Sequence, residues 1–387
     1  MPEPRVTTTH WNQPPHNRWS FQHMQSLFPT ARLRRGLGPA QPFSSQAKDL
    51  LAAQYETGSG EQRSVSQSLA ETYTDAFLVA RGDQLLLEHY ENGMAADSLH
   101  LLNSVTKSFT GMLAGILVAD GRLAAEDAVT RWLPELGDTA FADTCVQHLL
   151  DMTAAPAYGE DYSDVQADFW QEAAVVGWRP DLVGVDSPRT LLEYAATLQA
   201  PDQPDGQAFH YRSVLTNVLG MVLERAGGAP LQTLLQNALW QPLGPEQDAN
   251  IVVDPIGFPY VAAGMSASAR DLLRFGQLLI QQGRYGGRQL LPAGWIDQTL
   301  NVDPKWQDMF AASEYGDFIP GGHYRNQMWV RRAERGQLLA LGIHGQIIYM
   351  DSASECVIVK LSTQPEATDL QMFTDNFAAM DAVVAAL

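Results

Sequence analysis

The sequence predicts an α+β chain in which an antiparallel sheet, built from both chain ends, is flanked by helices and interrupted by an inserted all-α domain. Three observations carry this. Strand-like runs stand early, at 76–80 and 84–90, and again late, between 327 and 362. The connections between the late runs are short, as antiparallel neighbours require. Between the two groups, 122–244 carries mostly helical periodicity with long Pro- and Gly-bearing loops. Residues 1–121 and 245–387 are therefore read as one domain with an antiparallel sheet, and 122–244 as a mainly helical insertion.

Taken in order, residues 1–45 read as an extended arm. Its Trp11, Trp19, Phe21, Phe28 and Pro29 follow no period and are expected to pack on the body. Gly58-Ser59-Gly60 marks a flexible turn. Arg81-Gly82-Asp83 joins the first two strands as a hairpin. A helix is predicted from Ser104, because Phe109, Met112, Leu113, Ile116 and Leu117 recur at helical spacing and serine is a good opening residue. Asp120-Gly121 ends it, glycine supplying the positive φ that a helix end often needs. Further helices are expected at 146–153, 190–199, 213–226 and 231–240, with Gly227-Gly228 as one stop. Beyond Pro245, Ile251-Val252-Val253 reads as a short strand. Ser268-Ala269-Arg270-Asp271 resembles a capping box opening a helix to about residue 282. Strands at 327–332, 338–342, 347–351 and 356–362 follow, and a helix at 369–387 closes the chain.

The totals restrict the function. The 387 residues carry 44 acids against 25 bases, a net charge of −19, with 45% apolar residues. Such a surface repels phosphate backbones, so no nucleic-acid partner is expected. There is no apolar run of about 18 residues and no apolar stretch in the polar start of the chain, so no membrane span and no secretory signal are expected, and the cytoplasm is the default. The two cysteines, Cys145 and Cys356, sit in apolar segments and are expected as free thiols. Neither a metal spacing nor a cofactor motif is present, so neither is expected.

The candidate chemistry lies at Ser104-Val105-Thr106-Lys107. A helix places Ser104 and Lys107 on one face. A serine hydroxyl needs an adjacent base, and a lysine whose pKa is lowered by burial or a second cation can be that base. The helix start adds free N–H groups for a developing oxyanion. Read alone, the four residues also fit an N-cap serine with a solvated lysine. Ser45-Gln46-Ala47-Lys48 repeats the spacing after a Pro/Gly-rich stretch with no hairpin before it. Tyr211, just ahead of the 213–226 helix, is the candidate third group. A phenol near an ammonium is expected to have a lowered pKa and could take the serine proton or return one. Tyr90-Glu91-Asn92 and Tyr324-Arg325-Asn326 are also tyrosine-x-asparagine runs but are not placed ahead of a helix. In Gly342-Ile343-His344-Gly345-Gln346, glycines allow close backbone approach. The Ile343 N–H could pair with that of Ser104 as an oxyanion hole. His344 is either a wall of the cleft or a packed edge histidine.

These motifs resemble the serine β-lactamase and penicillin-binding-protein superfamily, in particular its class C-like esterases and 6-aminohexanoate-dimer (nylon oligomer) hydrolases. The similarity runs through Asn17-Arg18-Trp19-Ser20-Phe21-Gln22-His23, the Ser104 motif, His148-Leu149-Leu150-Asp151-Met152-Thr153, Glu160-Asp161-Tyr162, Gly177-Trp178-Arg179, Gly342 to Gln346 and the strand ending at Ser362. It implies a β-lactamase/transpeptidase-like fold and an acyl-enzyme on Ser104, with Lys107 and Tyr211 as base and proton shuttle. It also implies an oxyanion hole from the Ser104 and Ile343 N–H groups, and a cleft lined by Tyr162 and Trp178. There are departures. Leu341-Gly342-Ile343 stands where a Lys-Thr-Gly would be, Tyr211-Arg212-Ser213 lacks the third-position asparagine of class C β-lactamases, and Ala173 replaces an acid that can bind the substrate amine.

The expectation is thus a serine hydrolase acting on small carboxylic esters and on small linear amides like 6-aminohexanoate oligomers. β-Lactamase or DD-peptidase activity, and a catalytically silent ligand-binding module, stay open as alternatives, as does a homodimer. No Gly-x-Ser-x-Gly points to the α/β-hydrolase route.

Overall fold

The structure is a computed structural model that describes residues 6–387. Its main sheet has eight strands. In spatial order they are His323–Arg325, Met328–Arg332, Gln337–Gly342, Gln346–Asp351, Cys356–Ser362, Thr74–Arg81, Gln84–Tyr90 and Ser44–Ser45. The two chain ends join where Cys356–Ser362 runs antiparallel to Thr74–Arg81, with Ile358 opposite Val79. Only the short edge pair, Ser44–Ser45 on the start of Gln84–Tyr90, is parallel.

The central strands are buried on both faces, so they read as apolar runs rather than as alternation. On one face lies the helix Ala269–Ile280, where a Cβ on Gly276 would stand 2.4 Å from Val357 Cγ1. Tyr349, which neighbours Met350 on its strand, points the other way. Its hydroxyl donates to Asp381 at 2.7 Å, on the helix Leu370–Ala385 that covers the opposite face.

The helix Val105–Ala119 is no amphipathic surface helix, since 12 of its 15 residues are buried. Two glycines let it be surrounded. A Cβ on Gly111 would lie 2.3 Å from the Asn326 carbonyl oxygen, and one on Gly115 would lie 2.6 Å from the Trp295 ring. Phe109 stacks on Phe275 at 3.9 Å, tying this helix to Ala269–Ile280.

Between Ala119 and Ala249 every regular element is helical, among them Val146–Leu150, Asp168–Val175, Leu191–Thr197 and Ser213–Gly227. The predicted 146–153 helix stops early because Met152 adopts φ 55°. The predicted 231–240 helix is Leu231–Leu235 continued by a π turn, Gln236–Trp240.

The extended arm is a correction. Residues 1–5 of it lie outside the described residues. The rest contains the short helices Asn17–Ser20 and Met24–Leu27 and the strand Thr30–Leu33. That strand pairs antiparallel with Ala249–Val252 in a second, four-stranded sheet. Trp11, Phe21 and Phe28 are buried, whereas Trp19 remains exposed and stacks on His23. The turn at Gly58-Ser59-Gly60 joins two short strands, Gln54–Glu56 and Gln62–Ser64. The second of these ends in a capping box at Ser64 and Gln67. Both cysteines are free; Cys356 is buried and Cys145 only partly. Among the described residues no helix is long and apolar enough to cross a membrane.

Gly111→Ala puts a methyl group into the Asn326 carbonyl, where backbone must shift. We expect a loss of about 1–3 kcal/mol in denaturant unfolding. A control variant, Gly38→Ala, whose Cβ would meet nothing within 4 Å, is expected to stay near wild type.

Candidate active site

The Val105–Ala119 helix starts against the end of the strand Gln337–Gly342. Only glycine fits that contact, because a Cβ on Gly342 would fall 2.4 Å from the Leu102 carbonyl and 3.1 Å from Ser104 N. Asn103, at φ 47°, turns the chain into the helix and donates its side-chain N–H to the Ile343 carbonyl at 2.9 Å. The Ser104 and Ile343 backbones are thereby brought side by side. Neither amide N–H donates to a protein acceptor among the described residues.

Ser104 does not cap the helix with its side chain. Instead Lys107 Nζ donates to Ser104 Oγ at 2.9 Å. Lys107 is 1% exposed, so the solvated-lysine reading does not fit. Its other partners are Ser213 Oγ at 2.9 Å and the Ala262 carbonyl at 2.7 Å. Burial pushes the amine down to about 8, against Glu160 and Glu172, whose charges pull it up. At pH 7 about a tenth of such an amine is neutral, enough to serve as a base.

Tyr211 joins these two from the start of the Ser213–Gly227 helix. Its ring stacks on Trp329 at 5.3 Å, and Lys107 Nζ lies 5.0 Å from its centroid. The ammonium therefore lies over the ring. The expected lowering of the phenol pKa does not occur. Burial and then Glu160 push it up, with only a hydrogen bond to Ser104 acting the other way. Tyr211 is thus a neutral phenol, a proton donor and not a phenolate base.

Two cavities meet here. A narrow apolar cleft of about 50 Å³ is lined by Ser104, Ile343, Phe318, Trp329, Leu370 and Phe373 among others. A polar chamber of about 580 Å³ is lined by Glu160, Asp161, His210, Glu314 and Glu366 among others. Tyr162, Tyr211, Tyr315 and Thr368 belong to both walls. The Tyr162 hydroxyl donates to Glu160 at 2.6 Å.

Two candidate substrate-binding residues are elsewhere. Trp178 lines neither cavity. It is buried against Trp11 at 4.7 Å and Tyr260 at 5.2 Å, and its carbonyl accepts the Trp11 ring N–H. Its apolar bulk serves the seat of the arm. His344 also lines neither cavity. Its Nδ1–H donates to the Gln364 carbonyl at 2.7 Å, its ring meets the edge of Phe21, and burial pushes it down to about 4. Of its two readings, the packed histidine holds. The decoy pair is apart as well: Ser45 is in an edge strand and Lys48 reaches the Leu387 carbonyl.

Sequence reasoning missed Ser213 and Glu160 as parts of the site. Glu160 accepts from Ser213 N–H at 2.5 Å and from Ser213 Oγ at 2.6 Å. Glu172, next to Ala173, turns inward to Tyr158 and Asn217, and burial pushes it up to about 7.

The chain belongs to the Beta-lactamase family, whose model matches residues 62–379. It is a serine hydrolase with the β-lactamase/transpeptidase-like fold. It is 35% identical over 361 residues to the 6-aminohexanoate-dimer hydrolase of Paenarthrobacter ureafaciens, a match covering 93% of this chain and 88% of that one. Esterase EstB of Burkholderia gladioli is 30% identical over 230 residues, 56% of each chain. A solved structure from Bacillus anthracis, described as that of a candidate 6-aminohexanoate-dimer hydrolase, superposes with a TM-score of 0.89 at 26% identity, covering 99% of this chain and 97% of that one.

His344 gives a stability prediction. Its folded pKa of about 4 lies below the usual value near 6.5, so acid favours the unfolded state, which takes up the proton first. The stability tied to a neutral His344 is complete above pH 6.5 and falls by about 3 kcal/mol on reaching pH 4. Urea unfolding across this range is expected to show a shallower acid loss in His344→Gln than in wild type.

Proposed function

We propose that the chain hydrolyses small carboxylic esters through an acyl-enzyme on Ser104, with small linear amides as a second substrate class. One observation carries this reading: a buried amine with a lowered pKa stands 2.9 Å from the hydroxyl at the start of a buried helix. Neutral Lys107 takes the Ser104 proton as Oγ attacks the ester carbonyl. The N–H groups of Ser104 and Ile343 hold the oxyanion. The neutral phenol of Tyr211 gives its proton to the leaving oxygen as the carbonyl–oxygen bond breaks, and the Lys107 ammonium restores it. Water then repeats the sequence on the acyl-enzyme. Tyr162, on the wall between cleft and chamber, would contact the substrate.

Esters are favoured over amides because an alkoxide leaves without the full protonation that an amine needs. The likeness to a 6-aminohexanoate-dimer hydrolase supports amide turnover. Ala173 offers no carboxylate for a substrate amine, and Glu172 is engaged by Tyr158 and Asn217. For a β-lactam or peptide carboxylate the cleft around Ser104 offers no cation among its lining residues, with Leu341, Gly342 and Ile343 in that place. Nitrocefin turnover is accordingly expected to be negligible beside ester turnover.

With p-nitrophenyl butyrate, wild type is expected to show an acyl-enzyme by mass spectrometry, and Ser104→Ala neither acyl-enzyme nor turnover. A persisting acyl adduct in Ser104→Ala would move the nucleophile elsewhere. Lys107→Ala should lose about 100-fold or more in kcat/KM while melting near wild type. The pH profile of kcat/KM should rise with pH as Lys107 loses its proton, passing half its plateau near pH 8 and levelling off about a unit higher.

A further inference from the structure

One hydroxyl links Lys107 to Glu160. Ser213 Oγ lies 2.9 Å from Lys107 Nζ and 2.6 Å from Glu160 Oε1. Burial pushes the Glu160 carboxyl up, against the charge of Lys107 and the hydrogen bonds from Ser213 and Tyr162, which pull it down. Once ionised, the carboxylate only accepts, so the one proton of the Ser213 hydroxyl goes to it. The other contacts of Glu160 fix the carboxylate in this role. Ser213 N–H donates to Oε2 at 2.5 Å and the Tyr162 hydroxyl donates to Oε1 at 2.6 Å. What Ser213 offers Lys107 is then a lone pair. The Ala262 carbonyl, at 2.7 Å, is likewise able only to accept.

A neutral amine on a lysine has two N–H bonds and one lone pair. With Ser213 and Ala262 both held as acceptors, the two N–H bonds are committed to them. The lone pair is left for the third neighbour, Ser104 Oγ at 2.9 Å. That is the direction in which a general base must point. If Ser213 were free to turn its proton toward the amine, it would compete with Ser104 for the lone pair.

We propose that Glu160 is a positioning residue for Lys107: by taking the Ser213 proton it keeps Ser213 an acceptor and aims the lone pair of neutral Lys107 at Ser104. The proposal rests on Ser104 and Lys107 being nucleophile and base. The carboxylates acting on Lys107 are Glu160 and Glu172, from the segments flanking Asp168–Val175 and within it, and the Tyr211 ring closes a further side. Both carboxylates favour the ammonium against burial. Glu160 therefore has two separable effects, one of direction and one of charge.

Two variants separate them in steady-state hydrolysis of p-nitrophenyl butyrate, followed from pH 5 to 10. Glu160→Gln removes the charge and puts an amide where two acceptor oxygens stood. It should lower the plateau kcat/KM about tenfold or more and move the rising limb to lower pH by about half a unit or more, because Lys107 loses a negative neighbour. Glu160→Asp keeps the charge but withdraws it from Ser213, and should lower the plateau with little movement of the limb. Because Glu160 acts through Ser213, Glu160→Gln combined with Ser213→Ala should have the plateau of Ser213→Ala alone. A wild-type plateau in both Glu160 variants, or losses that multiply in the double variant, would overturn the proposal. If Glu160→Gln does not fold, Glu160→Asp against Ser213→Ala still decides it. Activity retained by Ser104→Ala or Lys107→Ala would instead remove the reading beneath it. Loss there with wild-type Glu160 variants would remove only the role of Glu160.

Discussion

The site depends on an amine taken out of water. Moving an ammonium into a protein interior costs several kcal/mol unless partners compensate. Lys107 is compensated in two ways that differ in kind. Three oxygens accept its N–H bonds directly. Two carboxylates act on it by charge, neither in direct contact with it as an ion pair, since no salt bridge to Lys107 is present among the described residues. A close ion pair would lock the ammonium and leave no base. With no carboxylate nearby, burial would leave the amine neutral but too weak a base to pull a serine proton. The distance through Ser213 holds the amine between those limits, at about 8.

The rest of the fold serves that burial. The helix Val105–Ala119 can be enclosed because Gly111 and Gly115 let backbone and an indole ring close on it. Gly342 lets the end of a sheet strand press on the helix start, which aligns two free N–H groups at one point. The N-terminal arm closes the structure from outside. Asn17 donates to the carbonyls of Thr363 and Gln364, just past the last sheet strand, and Trp11 seats on Trp178. Trp178 and His344 belong to this packing of the arm, through Trp11 and Phe21, and line neither cavity.

Much of this was legible in the sequence where the signal is local. The Ser104 helix and its stop, the early hairpin, the late strands and the Ser268 cap follow from periodicity and end residues over a few positions. The packing of the arm's aromatics on the body was foreseen, but its short helices and strand were not, because those aromatics have no period of their own: Trp11, Phe21 and Phe28 are placed by partners far along the chain. The Tyr211 pKa was misjudged for a related reason. Proximity to an ammonium was foreseeable, but not that the ammonium would lie over the ring face with Glu160 also near. Glu160 itself was visible only as part of a resemblance, because nothing in its neighbourhood shows that its two oxygens meet Ser213, 53 positions away.

Ser213 ties these strands together. Where an asparagine takes the third position of the tyrosine motif, its carbonyl is an acceptor by covalent structure, and its amide donors are on another atom. A serine hydroxyl is donor and acceptor on one oxygen, and nothing in serine decides which face the lysine sees. A neighbouring carboxylate decides it, by taking the only proton. The departure from asparagine at position 213 and the presence of Glu160 at 2.6 Å from that hydroxyl are then one feature rather than two. The arrangement makes an acceptor for Lys107 out of a serine, and brings with it a negative charge that favours the ammonium.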